Sequence, residues 1–196
     1  MKKDIEYFYS SKNYFLAAVA VFSISFAAGV LISAKNPGAS EKLLEMMKDT
    51  YGGITALDPF ERMLEIFKNN VRTSFVALMG GLVFGLIPFV IVAVNGTVLG
   101  IIVELFFRKQ GAFFVIAGIL PHGIIELPMV LISVGIGFRL GHIAYLSMRH
   151  QKTMHELIHE LKLGIFFFLK IVVPLLLLAS LIESYVTPLL IYMFIK

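Results

Sequence analysis

His122 and Glu126 stand four residues apart at the start of an apolar run, Pro121-His122-Gly123-Ile124-Ile125-Glu126. On a helix that spacing puts an imidazole nitrogen and a carboxylate on one face, where they can hold a divalent metal or share a proton. The plain structural reading is a His–Glu hydrogen bond that seals the helix start. Ionisable groups inside a membrane are costly and mark pathways or sites by default. Glu104 and Arg108 share the i, i+4 spacing and read as an interfacial ion pair. Arg139 and His142 lie 13 and 16 residues beyond Glu126, on a different face and about 20 Å along an ideal helix. Glu183, from the last apolar run, is the expected partner of Arg139.

His155-Glu156-Leu157-Ile158-His159 matches H-E-x-x-H. On a helix the two histidines would face one zinc ion, with the glutamate as general base for an activated water. Glu183, 24 residues later, is a candidate third ligand. Charged Glu160 directly follows the second histidine, where zincins usually carry an uncharged residue, and a solvated helix face yields the same string. No G-x-S-x-G, no G-K-[ST] and no G-x-G-x-x-G occurs. No catalytic residue is assigned, and an enzyme is the less favoured class.

The elements that must position these groups are membrane helices. The chain has 196 residues, 58% hydrophobic and 15% charged, with mean hydropathy +0.87. Soluble domains are about 45–50% apolar and 25% charged. Tyr14–Ala34 holds 21 residues without a charge and Thr73–Val103 holds 31; about 18 apolar residues suffice for a crossing. Soluble, disordered and fibrous classes are excluded. The first run is longer than the apolar region of a leader peptide, so the mature chain is expected to begin near Met1. With no cysteine, disulfides, thiol nucleophiles and iron–sulfur sites are excluded. The net charge of +4 fits lysines and arginines beside lipid headgroups, and no nucleic-acid partner is implied.

Along the chain, Tyr14–Ala34 is a simple spanning helix. In the connection Lys35–Arg72, Asp58-Pro59-Phe60-Glu61 reads as a helix start: a capping carboxylate, a proline at the first position, then an acid. Phe60, Met63, Leu64 and Phe67 form one apolar stripe, so a surface helix is expected that turns into the bilayer near Asn69-Asn70. Asn95-Gly96 is a turn signal. It divides the long run into a span over Thr73–Val94 and a short piece, Thr97–Phe107; Ala112–Leu120 is a second short piece. Such interrupted segments are the pattern of broken or re-entrant helices. Pro121 is expected to open a helix to about Met148, bent at Pro128. Arg149–Lys162 is a polar connection. Leu163–Ile195, interrupted by Pro174 and Pro188, is too long for one straight crossing. Three GxxxG spacings, Gly81/Gly85, Gly96/Gly100 and Gly137/Gly141, allow close helix approach within the bundle or in a homodimer. Orientation stays open: with the N-terminus inside, inner basic residues are fewer than outer ones.

Several strings, in order, resemble one family: Phe67-Lys68-Asn69-Asn70, the glycine-rich stretch to Pro88, and Asn95-Gly96-Thr97-Val98-Leu99-Gly100. Pro121-His122-Gly123-Ile124-Ile125-Glu126-Leu127-Pro128 and Ala179-Ser180-Leu181-Ile182-Glu183-Ser184-Tyr185-Val186-Thr187-Pro188 complete the set. The chain thereby resembles the stage II sporulation protein M family of integral membrane proteins. The resemblance implies a multi-pass scaffold that works with partner proteins in septal peptidoglycan degradation and is not itself the hydrolase. Relatives occur in bacteria and archaea that form no spores. The family's polar positions match Asn69, Asn70, Asn95, His122, Glu126 and Glu183 here, an intramembrane polar centre; the H-E-L-I-H string is outside its motif set.

The expectation is therefore one all-α integral membrane domain over residues 1–196, a multi-pass transmembrane bundle of about five spanning helices with short re-entrant or broken helices and amphipathic interfacial helices. It sits in the cell membrane. The favoured function is a scaffold or assembly partner, homodimeric and in contact with other membrane or envelope proteins. The alternative is a channel or transporter with a metal or proton site at the polar centre, and the lesser alternative a zinc protease. No cofactor is certain; a divalent metal on His122 and Glu126, or on His155 and His159, is the candidate.

Overall fold

A computed structural model describes residues 2–55 and 57–195. It is 93% helical with no strand among the described residues. The helices are α1 (Lys2–Ser10), α2 (Lys12–Lys35), α3 (Pro37–Thr55), α4 (Pro59–Met79), α5 (Leu86–Gln110), α6 (Ala112–Met148), α7 (Met154–Phe167), α8 (Val173–Leu181) and α9 (Thr187–Ile195). The last three form one rod, joined by wider π turns at Phe168–Val172 and Ile182–Val186. Four helical stretches are long and apolar enough to cross a membrane: Lys12–Lys35, Leu86–Gln110, Ala112–Met148 and Met154–Met193. α4 is the fifth rod of the bundle. Its amino-terminal half is too charged to qualify, while its second half is buried through Ser74, Ala77 and Leu78.

Side-chain pairings fix the directions. Tyr14 meets His142, Gly85 meets Gly141, and Arg139 meets Glu160, so α2, α5 and the α7–α9 rod run antiparallel to α6. Ala77 meets Gly137, so α4 runs parallel to α6. α6 is the central post. Around it Leu78, Ile136, Leu140, Phe168, Val172 and Leu176 are fully buried. Large apolar side chains outside are exposed instead: Leu16, Ile24 and Leu31 on α2, Ile116 and Ile124 on α6, Leu169 and Leu189 on the last rod. A belt of that size needs a non-aqueous neighbour, and lipid supplies it.

Several boundaries differ from the expected ones. Asn95-Gly96 is no turn; it lies inside α5. A Cβ on Gly96 would stand 2.8 Å from the Phe22 carbonyl oxygen, and one on Gly100 2.2 Å from that of Phe26. Those glycines let α2 and α5 touch backbone to backbone, and that packing holds the helix through a local turn signal. The reversal comes earlier, at the short 3-10 turn Gly80–Leu82 and the left-handed pair Phe84 (φ 51°) and Gly85 (φ 76°). The two short pieces are not re-entrant. They are the end of α5 and the start of α6, a hairpin closed at Gly111, whose φ of 84° favours glycine. Pro121 does not open a helix either: Pro121 and Pro128 both lie inside α6, where neighbouring helices compensate the lost backbone bonds. α4 passes through Asn69-Asn70 without turning, and the polar connection shrinks to residues 149–153.

Other expectations hold. The Asp58 carboxylate accepts hydrogen bonds from the N–H groups of Phe60 (2.9 Å) and Glu61 (3.2 Å), with Pro59 opening the helix. The last rod relieves its length through the π turns, which precede Pro174 and Pro188 by two residues each. A proline ring clashes with the carbonyl four residues back, and the wider turn makes room for it. All three GxxxG spacings are occupied inside the chain. A Cβ on Gly81 would lie 2.1 Å from the Gly137 carbonyl oxygen, and one on Gly141 2.3 Å from the Gly85 nitrogen.

Candidate functional site

Three elements converge on one point. α6 presents His122 and Glu126 on the same face, one turn apart. The second π turn presents Glu183, and α4 presents Asn70. One imidazole nitrogen and one oxygen from each carboxylate all lie within 4.8 Å of one another. His122 Nδ1 is 3.4 Å from Thr187 Oγ1, which ties the first turn of α9 to the ring. Asn70, 9% exposed, lies against Glu126, and its amide nitrogen has no hydrogen bond of good geometry. The charges of Glu126 and Glu183 oppose each other, and the Arg62 guanidinium acts on Glu183 from the start of α4.

The π turn is what brings Glu183 here. It takes one residue more than an α turn, so it changes which side chains face α6 on either side of it. The same widening that accommodates Pro188 therefore aims a carboxylate at His122.

Two cavities meet at this cluster. The larger, about 890 Å³, is lined by the start of α4 (Arg62, Glu65, Asn69), by Phe106 and Phe114 near the α5–α6 hairpin, and by His122, Glu126, Glu183 and Thr187. The smaller, about 240 Å³, shares Asn69, Asn70, His122 and Glu126 and extends along α2 and α5 past Phe22, Val92 and Asn95. Of the six polar residues expected to form a centre, His122, Glu126, Glu183 and Asn70 meet directly. Asn69 lines both cavities, and Asn95 lines the smaller one alone. Thr187 and Arg62 were not singled out from sequence. Thr187 stands in the Thr187-Pro188 pair beside Glu183, a position that carries its own signal; Arg62 carries none, since one charge among many in a surface helix is indistinguishable from the rest.

The H-E-L-I-H string is elsewhere. His155 and His159 are exposed on α7. Glu156 closes a capping box with Thr153 and pairs with Lys152 at 2.7 Å. Glu183 cannot be its third ligand, because 28 residues of one rod separate it from His155, about 40 Å of helix. Nor is Glu183 the partner of Arg139. That guanidinium donates one hydrogen bond to Glu160 at 2.9 Å and makes an ion-pair contact with its other oxygen at 2.7 Å, donates to Ser10 and Ser11 at 2.6 Å, and lies 5.0 Å over the Tyr7 ring. His142 pairs with Tyr14 at 2.6 Å. The interfacial Glu104–Arg108 pair is present at 3.3 Å, and Ser33 of α2 also donates to Glu104.

Comparison with known proteins agrees with the family that the sequence resembles. The family model for Stage II sporulation protein M matches residues 18–188. The chain belongs to the Stage II sporulation protein M family. The matched range contains every residue of the polar centre and excludes α1. Among curated proteins, two from Methanocaldococcus jannaschii, both described only as uncharacterized, are similar. One is 31% identical over 63% of this chain and 69% of its own length. The other is 26% identical over 66% of this chain and 58% of its own length, so the chain spans little more than half of that relative. No solved structure matches.

Proposed function

We propose that this Stage II sporulation protein M family member is a multi-pass protein of the cell membrane that binds a small polar or charged species at His122, Glu126 and Glu183 and passes it through the bundle as a channel or transporter. The observation that carries this reading is the meeting of two cavities at one polar cluster. A scaffold needs surfaces; it has no use for an inward-facing carboxylate pair between two cavities. Placing charged groups in the apolar zone costs free energy that function must justify.

The test is flux in proteoliposomes, for protons and for divalent cations, with wild type beside His122→Ala and Glu126→Gln. Flux that falls at least about ten-fold in both variants, and is unchanged in a His155→Ala/His159→Ala double variant, supports the reading. Flux indifferent to His122 and Glu126 removes it. Family membership favours a second reading, a scaffold or assembly partner for other membrane or envelope proteins. It predicts that native-membrane crosslinking recovers the chain with a constant partner, whatever stands at His122.

A further inference from the structure

We infer that His122, Glu126 and Glu183 form a binding site for a divalent transition-metal cation, with Asn70 and Thr187 as its supporting shell. The inference deepens the reading of the centre as a binding site by naming what binds.

The donor set is one imidazole and two carboxylates. Mixed nitrogen and oxygen ligands of this type suit Zn²⁺, Mn²⁺ and Fe²⁺; Mg²⁺ and Ca²⁺ prefer oxygen alone. With a neutral imidazole the three ligands carry two negative charges, which a divalent ion neutralises within the bundle, where two facing carboxylates otherwise repel. The three donor atoms already lie within 4.8 Å of one another. Around a zinc-sized ion with bonds near 2.1 Å, donors stand about 3.4 Å apart, so side-chain rotations of about 1–1.5 Å close the set.

Asn70 supplies the second observation. Its amide is nine-tenths buried against Glu126, yet its nitrogen lacks a good hydrogen bond. A buried amide that faces a carboxylate without a well-formed hydrogen bond is costly. When Glu126 turns one oxygen to a metal, the other can accept from this amide, which is the usual support for a ligating carboxylate. Thr187 stands in the same relation to the imidazole, 3.4 Å from Nδ1, leaving Nε2 for the ion. Three protein ligands leave a further position open toward the larger cavity, so the ion is exchangeable by geometry.

The experiment uses the full chain purified in detergent, stripped with chelator, then dialysed against Co²⁺ or Zn²⁺, with bound metal measured by elemental analysis. About one ion per chain is expected, with visible Co²⁺ bands of protein ligation. His122→Ala and Glu183→Gln should each weaken binding at least about ten-fold, and a His155→Ala/His159→Ala double variant should bind as wild type. Glu183→Gln keeps the side chain's shape, so it decides the matter even if His122→Ala fails to fold. No bound metal in wild type, binding that survives Glu183→Gln, or loss that follows the exposed histidines of α7 would each overturn the site. Metal bound without flux keeps the site and removes the transport reading; proton flux without metal does the reverse.

Discussion

At the scale of single residues, the molecule is held at the end opposite the α5–α6 hairpin by one buried ion pair. Arg139 and Glu160 are 16% and 9% exposed at the side chain, and the guanidinium also serves Ser10, Ser11 and Tyr7. Removing one member of such a pair leaves the other charge buried alone, a cost of about 3–5 kcal/mol. Arg139→Ala should therefore lower thermal stability in detergent far more than Lys68→Ala, whose pair with Glu65 is exposed; equal shifts would contradict this. Burial, helped by the Glu160 carboxylate, pushes the Tyr7 phenol up, so it stays neutral at any physiological pH. Asp4 holds α1 to the last rod through Lys170 at 2.6 Å, and that hydrogen bond keeps its carboxyl below the usual range. A lowered carboxylate contributes fully above its ordinary value near 4 and loses its contribution only as acid passes through the lowered folded value. Protection factors of the α1 amides, corrected for the intrinsic pH dependence of exchange, should thus be unchanged between about pH 8 and pH 5 and fall only below about pH 4. Loosening near neutrality would mean that another group governs. Sequence pointed to the His122–Glu126 pair because their spacing is local, four residues on one helix. It misassigned Arg139 because Glu160 and Glu183 lie on the same rod, and only packing decides which one faces α6.

At the scale of elements, small residues and prolines do the shaping. A Cβ on Gly137 would meet the Ala77 carbonyl oxygen at 2.3 Å, and overpacking of that kind costs about 1–3 kcal/mol or more. Gly137→Ala and Gly100→Ala should destabilise, while Gly38→Ala in α3, with nothing within 4 Å, should be neutral or stabilise by up to about 1 kcal/mol; thermal melts of the three separate the cases. The π turn at Ile182–Val186 admits a sharper test. It is an α-helix with one residue added, so deleting exposed Val186 together with Pro188→Ala, which removes the ring the wider turn accommodates, should restore a plain helix while keeping the faces of α8 and α9 on α6. The bundle should melt as before, yet Glu183 should leave the cluster, with Co²⁺ binding and flux reduced at least about ten-fold. Unchanged binding would mean the turn does not position the site. Composition made the helices legible and the capping signals placed the start of α4. The turn at Asn95-Gly96 misled because its glycine is there for α2, a contact between residues more than 70 apart. Pro121 misled because helix-breaking rules written for water relax where neighbouring helices and lipid enforce backbone pairing.

At the scale of the whole molecule, the antiparallel arrangement puts α3, the start of α4 and the α5–α6 hairpin at one end, where Lys109 pairs with Glu41 at 2.7 Å. Among the described residues that end carries Lys35, Lys42, Lys48, Arg62, Lys68, Arg72, Arg108 and Lys109; the other carries Lys2, Lys3, Lys12, Arg139, Arg149, Lys152, Lys162 and Lys170, eight at each end. With equal counts, the positive-inside rule favours neither side, and orientation is a matter for labelling. Because the chain has no cysteine, Glu45→Cys and Gln151→Cys report sidedness cleanly; in intact cells an impermeant thiol reagent should label one of the two and spare the other, and labelling of both would contradict their placement at opposite ends. Sequence already grouped Lys2, Lys3, Lys12, Arg149, Lys152 and Lys162 against the rest; packing adds Arg139 and Lys170 to that group and removes the imbalance. The central claim, that the polar cluster is a solvent-reached working site rather than packing, rests on the two cavities. Its most direct test is labelling of Gly118→Cys and Asn69→Cys, which line the larger cavity, beside Ile24→Cys on the outer face of α2, in membranes opened to both sides. The account predicts that an impermeant reagent labels the two cavity positions, that Co²⁺ slows their labelling, and that Ile24→Cys stays unmodified. Cavity positions as inert as Ile24→Cys would contradict it.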